Sequence, residues 1–426
     1  MIKSFNKIKG VQGSLKLPGD KSISHRSVMF ASLANGKSEI YNCLDSEDLQ
    51  RTINAFKQMG CKIETTNEKI IVEGKGIDGL EKPNDELYMG NSGTTTRLIS
   101  GILAAQKFAT KLTGDPSLSN RPMQRVIDPL TLMGAQITSN NGLLPMEINP
   151  AENFRSINYA LPIASAQIKS CVLLAGLFLD EETCVIEKKE SRNHTEKMLN
   201  LRIEEENGIR KIYSSKKNFP RPAKYIVPSD ISTAAFFIIL TLLSKNSELK
   251  LPNISLNISR IGIISILKKM GADIEFENVE IMNGEKRGDI IVKSSELKNV
   301  EIPAEIIPNI IDEIPILSIA GIFAEGDFVV RNAKELRHKE SDRIKSVCEN
   351  LKLVGLNINE FEDGFQISGN LNQSKVTFES YDDHRIAMAF SVLSVLIDQG
   401  GTINNFECVA ISNPNFEKQL EAIIKF

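Results

Sequence analysis

The sequence predicts an α/β fold of two similar domains, each with buried helices inside sheet. Three observations predict it. The first is length: 426 residues are too many for one ordinary core. The second is a recurring segment, amphipathic and helix-like, that ends in a glycine and turns into a short strand. It occurs five times: KQMGCKIE at Gly60, TLMGAQIT at Gly134, EENGIRKIY at Gly208, KKMGADIEFE at Gly271 and KLVGLNINEF at Gly355. A glycine just past a helix is the usual left-handed cap. The third is a second, more apolar set of helix-like runs, each beginning at a polar cluster: Ser22, Ser92, Ser165, Ser229, Asp312 and Asp382. Each start lies roughly forty residues before the next capping glycine or, for the sixth, the end of the sequence, which argues for six copies of one βαβ-type unit.

The elements follow in the order helix, strand, helix, strand. Runs such as SAQIKSCVLLAGLFL and DEIPILSIAGIF are apolar nearly all round and are expected to be buried. Strand-like runs come after them, GKSEIYN after the first and GDFVVRN after the fifth, while the second helix of each unit, such as SDRIKSVCENLKLVG, keeps a polar face. RPAKYIVPSD, residues 221–230, breaks the periodicity with two prolines, and LPGDK, residues 17–21, carries Pro-Gly just before a unit begins. Chain crossings there give one three-unit domain at residues 19–228 and another at 1–18 plus 229–426, with an active-site cleft between them.

Bulk properties exclude several classes. A net charge of -3 and a pI near 6.0 supply no global basic field for nucleic acid or membrane. Six cysteines without a CxxC pair suit reduced thiols. MIKSFNKIKG lacks a signal-peptide core, and apolar runs such as AAFFIILTLL fall short of a membrane span. A soluble cytoplasmic protein is expected. The four histidines show no HxxxH or HxH spacing, which argues against a metal, and no GxSxG elbow is present.

Chemistry-bearing residues cluster at the starts of the repeats. LPGDKSISHR places Lys21, Ser22 and Arg26 at a helix start, where unpaired amides and the helix dipole favour anions. It lacks the spacing of a nucleotide-binding GxxxxGK loop, and an ordinary capped helix fits it equally well. GNSGTTTR brings Asn91, Gly93, Thr94 and Arg97 to a turn whose backbone can approach a ligand closely. GDPSLSNRP presents Arg121. PIASAQIKS sets Ser165, Ala166 and Gln167 at the mouth of a buried helix, Gln167 being a cap or a ligand group. ESRNHTEKM adds Ser191 and Arg192. PNIIDEIP begins a very apolar helix with Asp312, a cap or a base. RHKESDR alternates Lys339, Glu340 and Arg343, and DDHR brings Arg385. Equivalent helix starts in a threefold repeat converge, so two facing domains enclose a cationic cleft suited to a small, multiply anionic ligand.

In this order and spacing LPGDKSISHR, GNSGTTTR, GDPSLSNRP, SAQIKS, SRNHTEKM, RHKESDR and DDHR closely resemble the motifs of the 5-enolpyruvylshikimate-3-phosphate synthases, and the resemblance covers the whole chain. It implies an inside-out α/β barrel in each domain, built of three βαβαββ units, and a monomer without metal or other cofactor. The implied substrates are phosphoenolpyruvate and shikimate-3-phosphate. Lys21, Ser22, Arg26, Ser165, Ala166, Gln167, Ser191, Asp312 and Lys339 look like shikimate-3-phosphate contacts. Lys21, Asn91, Gly93, Thr94, Arg97, Arg121, Gln167, Arg343 and Arg385 resemble the phosphoenolpyruvate site. Asp312 resembles the base, Glu340 the acid, and Lys21 a further catalytic group. Many family members carry lysine where this chain has Ile411. The nearest rivals are the sister transferase acting on UDP-N-acetylglucosamine, whose usual cysteine is absent from SLSNRP, and a non-catalytic anion-binding protein on the same repeat.

Overall fold

The computed structural model describes residues 1–372 and 375–425. Two compact units form, one comprising Gly19–Pro228 and Ile281–Glu285, the other Met1–Pro18, Ser229–Glu280 and Lys286–Phe426. Residues 373, 374 and 426 of the expected second domain lie outside the described residues. The tip Ile281–Glu285 corrects the expected boundary, because it belongs to the first unit. Its side chains explain why: Asn283 accepts from the Ile226 N–H at 3.1 Å and donates to the Lys224 carbonyl at 3.0 Å, while Glu285 meets His194 at 2.8 Å. A strand hairpin that sends only its tip into the other unit leaves no mark in a linear pattern.

The first unit holds three sheets of one wiring. Lys224–Ile226 pairs in parallel with Asn35–Tyr41, Leu87–Tyr88 with Thr110–Thr113, and Asn158–Ala160 with Thr183–Glu187. The second strand of each pair then joins an antiparallel hairpin arm, Lys69–Lys75, Leu143–Asn149 or Ile209–Ser214. Every sheet stays open rather than closing on itself. The helices Lys21–Leu33, Gly93–Ala104 and Ala166–Gly176 are buried almost throughout. Each begins at a side-chain cap: Asp20 accepts from the Ile23 N–H, Ser92 from Thr95 and Ser165 from Ile168, at 2.9, 3.3 and 3.4 Å. Buried hydroxyls in these helices satisfy themselves on carbonyls one turn back, as Thr96 does on Ser92 at 2.8 Å and Ser100 on Thr96 at 2.7 Å. Gly101 lets two of the helices touch, since a Cβ there would strike the Cys171 carbonyl.

The amphipathic helices Glu47–Gln58 and Gln124–Leu132 end at Gly60 and Gly134, with φ of 88° and 103°. Gly208 departs from the expected pattern. It follows Asn207 in the turn between the strands Arg202–Glu206 and Ile209–Ser214, and both residues have positive φ. Asn-Gly is the favoured two-residue hairpin turn, so EENGIRKIY is strand, turn and strand. The helix of that unit is the short His194–Met198, which Asn200 follows in the left-handed region at φ 48°.

In the second unit Ile231–Leu243, Ile314–Phe323 and His384–Leu396 pack together as the central helices. Asp230 and Asp383 cap the first and third through the N–H groups of Ser232 and Arg385, at 2.8 and 2.9 Å. Among the described residues a five-stranded sheet and two three-stranded sheets accompany them. Each fully buried Leu, Ile or Phe contributes roughly 1.5–3 kcal/mol by leaving water, so these apolar helices hold the fold from within. Among the described residues no helix is long and apolar enough to cross a membrane.

Candidate active site

The first unit places most of its expected site residues at or near the starts of its three buried helices, with Arg121 and Ser191 on loops beside short helices. Lys21 opens the first and pairs with Asp48 on the following amphipathic helix. Arg26, one turn on, is buried. Its Nε donates to Thr195 Oγ1 at 2.7 Å, Nη2 to Ser170 Oγ at 2.7 Å, and Nη1 to the Ser22 carbonyl at 3.0 Å. Burial lowers the guanidinium to about 10 while Glu196, Asp20 and Glu285 oppose the fall, so it stays charged at neutral pH.

Gly93 is the first residue of the second helix. A Cβ there would lie 2.8 Å from Arg97 Nη1 and 3.4 Å from Arg121 Nη1, so both guanidiniums crowd this point. Arg97 donates to Gln167 Oε1 at 3.0 Å and to the Pro122 carbonyl at 3.3 Å. Arg121 donates to Asn91 Oδ1 at 2.6 Å, and Asn91 Nδ2 to Asp115 at 2.9 Å. Bonds to amides and carbonyls orient each guanidinium. Gln167 Nε2 reaches Thr94 Oγ1 at 3.4 Å, so Gln167 is no cap; Ser165 fills that role, with Ala166 beside it as the first helical residue. Ser191 is buried, and both its N–H and its hydroxyl donate to Glu187, at 3.2 and 3.0 Å.

The second unit builds its cluster around Arg343, 1 % exposed. Nη1 donates to Asp312 Oδ1 at 3.2 Å, Nη2 to Glu340 Oε2 at 2.7 Å, and Nε to Asp383 Oδ2 at 2.8 Å. Burial works against the Arg343 charge, but Asp383, Glu340 and Asp312 together push its pKa up. Burial likewise disfavours the Asp383 carboxylate, and Arg343 pulls it below the usual range. Lys339 Nζ lies 3.7 Å from Asp312 and 2.8 Å from Glu335. Arg385 donates to the Asp312 backbone carbonyl at 3.0 Å and lies 3.8 Å from Glu313. The cations of this cluster are therefore interleaved with carboxylates, as the alternation in RHKESDR suggested. Ile411 packs on the apolar core of this unit, and Lys418 is exposed on a later helix.

The family model for EPSP synthase (3-phosphoshikimate 1-carboxyvinyltransferase) matches residues 5–420. The chain belongs to the EPSP synthase family. A 3-phosphoshikimate 1-carboxyvinyltransferase of Petrotoga mobilis is 46% identical over 97% of both chains, and one of Salinibacter ruber is 42% identical over 99% of both. The solved EPSP synthase of Acinetobacter baumannii superposes with a TM-score of 0.88 at 41% identity, covering 99% of this chain and 97% of that one. An enolpyruvyl transferase of Streptomyces tendae, at 14% identity and a TM-score of 0.74, shares the fold over 99% of this chain and 96% of its own.

Within this EPSP synthase family chain, two residues outside the expected site join it by geometry. Asp48 holds Lys21, and Asp383 is the buried partner of Arg343. Acidic residues at a helix cap or in its first turn are ordinary caps and dipole partners, so neither position marked itself as the partner of a site cation. Asp342 caps the Arg343–Leu353 helix through the Lys345 N–H at 3.1 Å and pairs with Arg337 at 2.8 Å.

Proposed function

We propose that this enolpyruvyl transferase moves the enolpyruvyl group of phosphoenolpyruvate to the 5-hydroxyl of shikimate-3-phosphate and releases phosphate, with no metal or other cofactor. The observation that carries the assignment of roles is the pair of carboxylates, Asp312 and Glu340, held by one buried guanidinium at 3.2 and 2.7 Å. Asp312, ionised between Arg343 and Lys339, takes the proton of the 5-hydroxyl as its oxygen bonds to C2 of phosphoenolpyruvate. Glu340, carrying a proton when ligands are bound, gives it to C3, and a tetrahedral adduct forms. Elimination returns a proton from the new methyl group to Glu340 as the C2–O bond to phosphate breaks, and the proton on Asp312 leaves with the phosphate.

Phosphoenolpyruvate carries a carboxylate and a phosphate, so Arg97, Arg121, Arg343, Arg385 and Lys21 share its charge, and Asn91, Gly93, Thr94 and Gln167 shape its seat. Shikimate-3-phosphate takes Lys21, Ser22, Arg26, Ser165, Ala166, Gln167 and Lys339. Ser191, whose proton goes to Glu187, accepts from a ring hydroxyl. These residues divide between the two units, and we assign the site to a cleft that the units close over the ligands as a monomer in the cytoplasm.

Asp312→Asn and Glu340→Gln test the roles. Each is expected to lower turnover by at least a hundredfold while both substrates still bind by calorimetry. Near-normal turnover in either variant removes that residue from proton transfer.

A further inference from the structure

Outside the expected site, the first unit buries a set of charges that the proposed chemistry does not use. Lys169 lies one turn beyond Ser165 on the Ala166–Gly176 helix, fully buried. Its ammonium sits 3.0 Å from each oxygen of Glu187, 2.7 Å from Glu196 Oε1 and 3.2 Å from the Ser191 carbonyl. Glu187 ends the strand Thr183–Glu187 and receives both hydrogens of Ser191; Arg210 reaches it from the next strand at 3.1 Å. A buried lysine with two buried carboxylates is costly to desolvate and is no gain in stability over apolar packing of the same shape. What the arrangement does fix is geometry. The turn from Glu187 to Ser191 is tied at three points, its N–H, its hydroxyl and its carbonyl, to one carboxylate and one ammonium.

We infer that Glu187 and Lys169 are positioning residues for shikimate-3-phosphate: they hold Ser191 against the helix start that carries Ser165, Ala166 and Gln167. The inference rests on the reading of Ser191 as a contact to that substrate. Neither residue touches phosphoenolpyruvate's proposed seat around Gly93, so the effect is specific to one ligand. Shortening or neutralising the carboxylate releases the Ser191 turn and weakens the phosphorylated ring substrate alone.

The experiment measures steady-state constants for both substrates and calorimetric binding of shikimate-3-phosphate, in the wild type, Glu187→Gln, Ser191→Ala and the double variant. Glu187→Gln is expected to raise KM and Kd for shikimate-3-phosphate about tenfold, to leave KM for phosphoenolpyruvate within about twofold, and to add nothing further in the Ser191→Ala background, as residues acting in series do. Glu187→Asp keeps the buried charge opposite Lys169 while withdrawing it by one methylene, so it shows the same split if Glu187→Gln fails to fold. Unchanged shikimate-3-phosphate binding, equal rises in both KM values, or additive effects in the double variant overturn the inference. If the wild type itself binds no shikimate-3-phosphate, the functional reading falls and the inference with it; wild-type binding matched by every variant sinks the inference alone.

Discussion

Gly93 shows how much a single missing side chain can decide. Its site has room for hydrogen only, because two guanidiniums approach within 2.8 and 3.4 Å of where a Cβ would stand. Both contacts are the ends of flexible side chains, so Gly93→Ala is expected to fold normally and to push Arg97 and Arg121 aside. The predicted result is a KM for phosphoenolpyruvate raised at least fivefold, with a parallel loss of inhibition by its competitor glyphosate, and a KM for shikimate-3-phosphate changed little. Unaltered inhibition would place the phosphoenolpyruvate seat elsewhere. Most of these groups were legible as residue types: cations, hydroxyls and glycines at helix starts announce an anion site. Their partners were not. Asp48, Asp383 and Glu187 are acidic residues at helix starts or a strand end, where such residues are commonplace, and only the fold brings them onto Lys21, Arg343 and Ser191.

At the level of elements, a buried polar chain ties three helices of the first unit. His25 Nδ1 lies 2.7 Å from Thr52 Oγ1, Thr52 2.7 Å from Thr95 Oγ1, and Thr95 2.7 Å from Ser92 Oγ, the cap of the Gly93–Ala104 helix. Burial lowers His25 to about 3, with Lys21 and Arg26 adding to the fall and Asp48 opposing it. The unfolded chain binds a proton on this residue below its ordinary value of 6.5, and the folded chain does so only near 3. Stability therefore falls as pH drops through that window, on the order of 5 kcal/mol in all if the chain stays folded that far. His25→Gln is expected to flatten the fall in melting temperature between pH 7 and pH 5; an unchanged slope would assign the acid sensitivity to other groups. All six buried repeat helices and four of the five capping glycines could be read ahead because apolar periodicity and left-handed caps are local. Gly208 misled because a glycine after polar residues signals a helix end and a hairpin turn alike, and Asn207 before it was the discriminating residue.

For the whole molecule, the repeat count was legible and the exchange of Ile281–Glu285 was not, since its cause is tertiary contact with Lys224, Ile226 and His194. The proposed substrate groups divide between units: Lys21 to Ser191 in one, Asp312 to Arg385 in the other. Neither unit alone supplies both the guanidiniums around Gly93 and the two carboxylates on Arg343. The proposed closure of the units over their ligands predicts a smaller radius of gyration in solution scattering when shikimate-3-phosphate and phosphoenolpyruvate are added together, and no change under saturation would contradict that proposal. The same division separates a transferase from an anion-binding protein, which needs no proton transfer. The most direct measurement is phosphate release with phosphoenolpyruvate and shikimate-3-phosphate, run beside UDP-N-acetylglucosamine as the alternative acceptor. Stoichiometric phosphate and enolpyruvyl ether with the first acceptor, and none with the second, is the predicted result; phosphate release only with the nucleotide sugar, or with neither, would contradict it.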